Sequence, residues 1–365
     1  MILVSVETAL AAPVMTPFNP AVNGFRFPNT FVNSLAPALD FHTEGLCGGM
    51  TYAVLDYYNA HWPAPDQDYR PANGTALQEY LYARQIDSIA QDLDKWTEGF
   101  SRGGADKGAL FSLGLETAPG SRIAELRSFL DRGVPVPLGL QTAQGWSANH
   151  QVLAIGYDLG RYEGDLGANQ GDFRIFLCDP NFPGKTMRLA PDVGAQIWIE
   201  RDENDAVVRG MGWQSYFVAT NYRAAKPPHI LNPAYPADGK IHQLLLTFQT
   251  GAHDLRGDDD NVDLTVNLTD GTSQFFPNIN LSAHWLANYE ETAAVDLTAP
   301  VRADLIRYMV LSATFGDGRD AGSWDILSVR VRGKGGGSLD LPRLAEGGSH
   351  RFTVAAPDFS LPNLR

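Results

Sequence analysis

Three residues of this 365-residue chain have side chains suited to nucleophilic catalysis: Cys47, His150 and Asp179. Cys47 lies in the stretch EGLCGGM, where the apolar pattern that follows predicts the start of a helix. The positive end of a helix dipole favours the thiolate, which is the nucleophilic form of cysteine. The glycines around Cys47 would leave its sulfur open to a substrate. These features make Cys47 the candidate nucleophile, and a buried structural thiol is the alternative.

His150 is the candidate base. It opens a predicted strand in SANHQVLAIGYD, where it would be rigidly held and still exposed. Asp179 ends the next predicted strand, FRIFLCDPN, and antiparallel pairing would bring its carboxylate beside the imidazole to stabilise the charged form. Asn181 is the alternative orienting residue. Trp146, shortly before His150, would line the cleft, or would be an ordinary core or rim tryptophan.

Hydrophobic periodicity predicts the elements that position these residues. Helices are expected over 47–60, from Thr75 through Trp96, and after the N-cap residue Ser121. Strands are expected to begin at Val136, Gln151, Phe173, Gln196 and Gln214. Helices followed by a run of strands predict an α+β domain with an antiparallel sheet.

These motifs, in this order, resemble those of the papain-like cysteine peptidase superfamily. In that superfamily the nucleophile begins the main helix and the base opens a strand, as in EGLCGGM and NHQVLAIGYD here. The Asp-Pro pair at 179–180 is similar to that of bacteriocin-processing peptidases. The resemblance implies a cysteine-dependent hydrolase, with a peptidase as the first expectation, that acts on protein or peptide substrates and requires no cofactor. An acyltransferase or deamidase with the same triad is an alternative, as is a non-catalytic binding or toxin-like protein on this scaffold.

One position departs from the family pattern. Papain-like enzymes usually carry a glutamine about six residues before the cysteine, and its amide stabilises the oxyanion. Phe41 occupies that position in this chain. His42, Asn29 or Asn33 would have to supply the donor. The backbone N–H of Cys47 would be its partner, and removing one such donor typically lowers the rate about 10²–10³-fold.

The composition excludes several classes of protein. Hydrophobic residues make up 44% and charged residues 19% of the chain, which is typical of a globular protein. The net charge of −14 argues against nucleic acid as a partner. With only two cysteines, Cys47 and Cys178, a disulfide scaffold or a cysteine-rich zinc site is excluded. The first twenty residues contain no basic residue and predict no signal peptide. A secreted and a cytoplasmic location are both compatible with the sequence.

A proline-rich stretch marks a domain boundary. The sequence predicts a papain-like domain over 1–223, a linker over 224–239, a β-sandwich over 240–333 and a C-terminal tail over 334–365. Short alternating apolar runs, separated by turns rich in Gly, Asp and Asn, predict the sandwich.

The stretch TGAHDLRGDDDNVDLTVNLTDG, followed by SWDILSVRV, resembles a PLAT/lipoxygenase-homology domain. Such a domain implies docking onto proteins or lipids. The acidic loop contains Asp254, Asp258, Asp259 and Asp260. Oxygen ligands at this density could hold a structural Ca²⁺, and a solvated acidic loop is the alternative.

Overall fold

The structure is a computed structural model that describes residues 12–36, 41–101, 107–142, 148–208, 212–230, 233–316, 322–341 and 349–361. The chain divides into two compact units, each with its own core. Unit 1 comprises Met1–Asp68 and Tyr80–His229, and unit 2 comprises Tyr69–Glu79 and Ile230–Arg365.

Unit 1 combines helices with antiparallel strands, which confirms the predicted α+β class. Its helices are α1 (Pro20–Asn23), α2 (Cys47–Asn59), α3 (Ala76–Ala90, which begins in unit 2), α4 (Leu93–Ser101), α5 (Lys107–Leu113) and α6 (Arg122–Leu130). Its strands are β1 (Val14–Met15), β2 (Val32–Ala36), β3 (Phe41–Glu44), β4 (Val136–Gln141), β5 (His150–Asp158), β6 (Arg174–Cys178), β7 (Thr186–Asp192), β8 (Ile197–Arg201) and β9 (Ser215–Val218).

One sheet organises unit 1. Within the described residues its strands follow the order β8-β7-β6-β5-β4-β9, and β1 pairs with β5. Strands β2 and β3 pair separately. Strands β4 and β5 each have a neighbour on both sides and are buried along almost their whole length. The strand that begins with His150 is therefore fixed on both sides by neighbours in the sheet.

Helix α2 begins at Cys47, as the sequence predicted, and is buried from Gly48 to Tyr57. Its two glycines allow close packing. A Cβ on Gly49 would collide with the carbonyl oxygen of Leu81 in α3, and one on Gly48 would collide with the hydroxyl of Ser88. The glycines after the cysteine thus have a packing role in addition to the substrate access expected from the sequence.

A buried ion pair anchors α2 from its other end. The Arg84 guanidinium lies 2.7 Å from the Asp56 carboxylate, and both side chains are almost completely buried. The hydroxyls of Tyr80 and Tyr222 donate to the same carboxylate at 2.8 and 2.7 Å. Because the backbone N–H of Ala225 also donates to it, Asp56 joins α2, α3 and the end of unit 1.

The long helix predicted from Thr75 through Trp96 is divided into α3 and α4. Asp92 lies at the break, where its carboxylate accepts a hydrogen bond from Tyr52. Its carbonyl oxygen accepts the backbone N–H of Trp96. Asp92 is fully buried, and the hydrogen bond from Tyr52 gives its carboxylate a partner at the interruption of the helix. The third predicted helix is confirmed, with Ser121 as its N-cap.

Unit 2 contains two antiparallel sheets over one apolar core. Its strands are β10 (Ile241–Thr250), β11 (Asn261–Leu268), β12 (Ser273–Phe276), β13 (Glu290–Val301), β14 (Ile306–Thr314), β15 (Ser323–Gly335), β16 (Leu339–Leu341), β17 (His350–Thr353) and β18 (Asp358–Leu361). One sheet has the order β13-β10-β15-β16 with β17 beside β15, and the other has the order β12-β11-β14-β18. Alternate residues of β10 and β11 meet in the core, as in a sandwich.

Two segments that the sequence placed elsewhere belong to unit 2. The segment 334–365, expected to be a tail, supplies β16, β17 and β18. The segment Tyr69–Glu79 also packs on the sandwich, where Arg70 forms a 3.1 Å ion pair with buried Glu291. The pairings of β17 with β15, of β18 with β14 and of Arg70 with Glu291 join positions far apart in the chain, so local patterns do not reveal them. No helix in the described ranges is long and apolar enough to cross a membrane.

Candidate functional site

Three elements of unit 1 bring the predicted triad together. Antiparallel pairing of β5 and β6 sets Leu153 opposite Cys178 and so places the start of β5 beside the end of β6. His150 Nε2 consequently lies 3.0 Å from both carboxylate oxygens of Asp179. Helix α2 packs on β5, where the Thr51 hydroxyl donates to the carbonyl of Gln151. This contact sets the start of α2 beside His150, whose charge and side chain act on the thiol of Cys47.

The imidazole of His150 is held on several sides and is buried, so the exposed position expected from the sequence is wrong. Asp179 faces Nε2, and its carboxylate also accepts the backbone N–H of Asn181 at 2.7 Å. The side-chain amide of Asn181 lies 3.2 Å from the same ring nitrogen. The indole of Trp213 stacks on the imidazole at a centroid distance of 5.8 Å and an interplanar angle of 15°. The ring therefore keeps one orientation between its carboxylate and the sulfur.

Electrostatic interactions favour a charged pair at Cys47 and His150. Burial alone would raise the pKa of Cys47, but hydrogen bonding to His150 and the histidine's charge outweigh this effect and lower it. Backbone hydrogen bonds from Gln151 and Gly48 act in the same direction. Burial alone would lower the pKa of His150, but the charge and hydrogen bond of Asp179 raise it. Opposite shifts in a thiol and an imidazole stabilise a thiolate beside an imidazolium.

Asp179 is the anion that stabilises the charged form of His150. Burial would raise the pKa of its carboxyl group, but the charge and hydrogen bond of His150 lower that pKa to about 2. The backbone N–H of Asn181 adds to the lowering. Asp179 is therefore ionised at neutral pH, although it is almost completely buried.

The second cysteine lies next to this site and differs from the first. Cys178 is on β6, adjacent in sequence to Asp179, and successive residues of a strand face opposite sides. Burial raises the pKa of Cys178 to about 12, and the negative charge of Asp179 contributes to the shift. Cys47 and Cys178 are both free thiols and form no disulfide with each other. Both are partly exposed.

The expected supporting residues have different outcomes. Asn181 contacts both His150 and Asp179, as described above. His42 lies on β3, but its side chain is outside the described part of the structure, and Trp146 lies in the undescribed segment 143–147. Asn29 is the one alternative oxyanion donor with a described side chain near Cys47, and its contacts are given below.

Sequence reasoning missed two residues that shape the site. A backbone hydrogen bond from Gln151 lowers the pKa of the Cys47 thiol. Its position directly after His150 was the available signal in the sequence. Trp213 lies outside the regular strands and reaches the site because its backbone pairs with Trp198. Since that pairing is not encoded locally, no sequence pattern pointed to the stacking on His150.

The acidic loop of unit 2 makes contacts within the protein. Asp254 lies 2.6 Å from His284 Nε2, and the Asp260 carboxylate accepts the backbone N–H of Gly316 at 2.8 Å. Among the described residues, no group of three or more His, Cys, Asp or Glu side chains could hold a metal ion. The calcium site therefore stays a prediction from the sequence.

Comparison with known proteins gives little likeness. No family model matches the chain, and no curated protein matches it. Among solved structures, the alpha toxin from Clostridium absonum is 16% identical over 32% of each chain, with a TM-score of 0.24. The Clostridium perfringens alpha-toxin from an avian strain is 18% identical over 33% of each chain, with a TM-score of 0.23. The matched part thus spans about a third of these toxins, and such TM-scores define no shared fold.

Proposed function

We propose that the chain is a cysteine-dependent acyl hydrolase with a papain-like unit 1, and that its first expected activity is peptide hydrolysis. One observation carries the proposal: at the start of a helix, His150 lies 3.0 Å from the carboxylate of Asp179 and interacts electrostatically with the thiol of Cys47. A structural thiol has no need of a buried histidine and a buried carboxylate in this order. The choice of a peptidase rests on the resemblance of the motifs, since the same series serves other acyl transfers.

In the proposed reaction, the thiolate of Cys47 attacks the acyl carbon and the carbonyl electron pair moves to oxygen. As the intermediate collapses, the imidazolium of His150 donates its proton to the leaving amine, and a thioester forms. Water then attacks the thioester while His150 accepts a proton, which releases the acid and restores the pair of thiolate and imidazolium. Asp179 stays ionised and stabilises the charged form of His150.

The proposal gives unit 2 a docking role, as in PLAT-like domains, with protein or lipid as the partner. Its support is the two-sheet sandwich and the acidic loop motif. Because docking and chemistry then belong to different units, the hydrolase proposal is tested at Cys47 alone.

Alkylation of the full chain by iodoacetamide, followed by mass spectrometry of both cysteines, tests the proposed function. We expect fast labelling of Cys47 at neutral pH and more than tenfold slower labelling in His150→Ala, since the loss of one pKa unit of thiolate stabilisation corresponds to about tenfold in the thiolate population. His253→Ala is the matched control, since His253 also pairs with an aspartate, Asp325 at 2.8 Å, but contacts neither cysteine.

Two results would contradict the hydrolase proposal. Labelling of Cys47 at the rate of an ordinary thiol would show that His150 does not activate it. Fast labelling that persists in His150→Ala would show that activation comes from elsewhere. Either result would favour the alternative of a non-catalytic protein on this scaffold.

A further inference from the structure

The side chain of Asn29 lies against the turn that precedes helix α2. Its Oδ1 accepts the backbone N–H of Leu46 at 2.6 Å, directly before Cys47. Its own backbone N–H donates to the carbonyl oxygen of Pro180 at 3.0 Å, directly after Asp179. Asn29 therefore joins the turn of the nucleophile to the loop of the carboxylate, although it is distant from both in the sequence.

Gly45 makes room for this amide. Its φ of +79° lies in the left-handed region that favours glycine. A Cβ at position 45 would also lie 2.8 Å from Asn29 Nδ2, which is too close for a stable contact. The turn before Cys47 thus has two separate requirements for glycine, and one of them is the amide nitrogen of Asn29.

The geometry leaves two N–H donors available at the same end of the helix. Because Oδ1 of Asn29 is bound to Leu46, the Nδ2 group is directed away from that bond. Cys47 is the first residue of α2, so its N–H has no partner within the helix and points out of the N-terminal end. In the described part of the chain, neither Asn29 Nδ2 nor the Cys47 N–H donates to a protein acceptor.

We propose that Asn29 is a catalytic residue whose Nδ2–H, together with the Cys47 N–H, stabilises the oxyanion of the acyl intermediate. This inference rests on the hydrolase function proposed above. When the sulfur attacks, the carbonyl electron pair becomes an oxyanion beside Cys47, where hydrogen bonds lower the barrier. Asn29 supplies the side-chain donor that Phe41, at the expected position of a glutamine, cannot supply.

The test compares two reactions of the same sulfur in the full chain. Acylation by p-nitrophenyl acetate passes through an oxyanion, whereas alkylation by iodoacetamide displaces iodide at a saturated carbon and forms none. Single-turnover release of p-nitrophenolate measures acylation, and Cys47→Ala gives the background. The alkylation rate is taken on its high-pH plateau, so that a change in the pKa of Cys47 does not enter.

Two variants separate a donor from a structural contact. Asn29→Ala removes the whole amide, whereas Asn29→Asp keeps an acceptor for the Leu46 N–H but has no N–H to donate. Asn59→Ala is the control, since Asn59 donates to the Tyr222 hydroxyl on the exposed end of α2. We expect both Asn29 variants to lose about 10²–10³-fold in acylation with plateau alkylation unchanged.

Unchanged acylation in both variants would overturn the role of Asn29 and leave the hydrolase proposal intact. An equal fall in acylation and alkylation, or loss in Asn29→Ala that Asn29→Asp restores, would reduce Asn29 to a structural contact. A parent chain with His150-dependent alkylation but no Cys47-dependent acylation would contradict the hydrolase proposal and this inference with it.

Discussion

Cys47 and Cys178 are chemically identical side chains with similar partial exposure, yet their surroundings give them opposite properties. Cys47 starts a helix and faces His150, and its pKa is lowered. Cys178 ends strand β6, and burial together with the negative charge of Asp179 raises its pKa to about 12. The comparison shows that partial exposure does not set the direction of the pKa shift. At Cys47 the charge of His150 and the backbone N–H groups outweigh burial, whereas at Cys178 burial dominates.

The carboxylate of Asp179 affects the pKa values of the two thiols in opposite directions. Asp179 stabilises the charge of His150, which in turn stabilises the thiolate of Cys47. It also lies next to Cys178 in the chain, where its negative charge opposes a second anion. A single charge therefore helps to lower the pKa of one thiol through a histidine, and adds to the burial that raises the pKa of the other.

Among the variants that test this difference between the two thiols, Asp179→Asn is expected to change the alkylation rates most. Without the carboxylate, the pKa of His150 falls and the thiolate of Cys47 loses its charged partner. A shift of one pKa unit corresponds to about tenfold in the population of the charged form, so we expect more than tenfold slower alkylation of Cys47 at neutral pH. Alkylation of Cys178 should stay the same or become faster. Mass spectrometry of the two labelled peptides measures both rates in one sample.

Asp325→Asn is the matched control, since Asp325 pairs with His253 in unit 2 and contacts neither cysteine. It should leave both rates unchanged. Equal slowing of alkylation at Cys47 and Cys178 in Asp179→Asn would indicate a general disturbance of unit 1. The inference that the carboxylate has opposite effects on the two thiols would then be wrong.

Gly49→Ala tests whether the close packing of α2 is needed to position Cys47. The added methyl group would collide with the Leu81 carbonyl, which is backbone and cannot rotate away. We expect about 1–3 kcal/mol of destabilisation, as for other overpacked sites, and slower alkylation of Cys47 but not of Cys178. Thermal unfolding and peptide labelling measure the two effects.

Gly171→Ala provides the comparison for this variant, since a Cβ there meets no atom within 4 Å. It should leave the thermal midpoint and both labelling rates close to those of the parent. If Gly49→Ala were as stable as Gly171→Ala, the contact between α2 and α3 would not constrain the start of the helix.

The smallest effect is expected from Cys178→Ser. Cys178 has no role in the proposed chemistry, and serine is close to it in size, so we expect at most about 1 kcal/mol of destabilisation. Alkylation of Cys47 should be unchanged. A several-fold change at Cys47 would show that the two thiols are coupled, although one begins α2 and the other ends β6.

Much of the site follows from local signals in the sequence. The helix start at Cys47, the strand start at His150 and the strand end before Asp179 could all be predicted, because periodicity and turn residues mark them. Antiparallel pairing of neighbouring strands then predicts that His150 and Asp179 meet, as their 3.0 Å separation shows.

The remaining features depend on contacts between distant parts of the chain. The stacking of Trp213 on His150 and the contact of Asn29 with Leu46 each join segments that no pattern relates. The packing of Gly49 against Leu81 likewise needs the position of α3. A glycine next to a cysteine is compatible with substrate access and with helix packing, and only the three-dimensional arrangement distinguishes them.

The most direct test of the account is the pH dependence of alkylation at both cysteines of the unmodified chain, from mildly acidic to strongly alkaline solution. Since the pKa of Cys47 is lowered, its labelling should rise through a midpoint below the ordinary thiol value and reach its plateau at a lower pH than that of a free thiol. Since the pKa of Cys178 is raised to about 12, its labelling should still be rising at the alkaline end. Parallel profiles with a common midpoint near that of a free thiol would contradict the activation of Cys47 by His150 and Asp179.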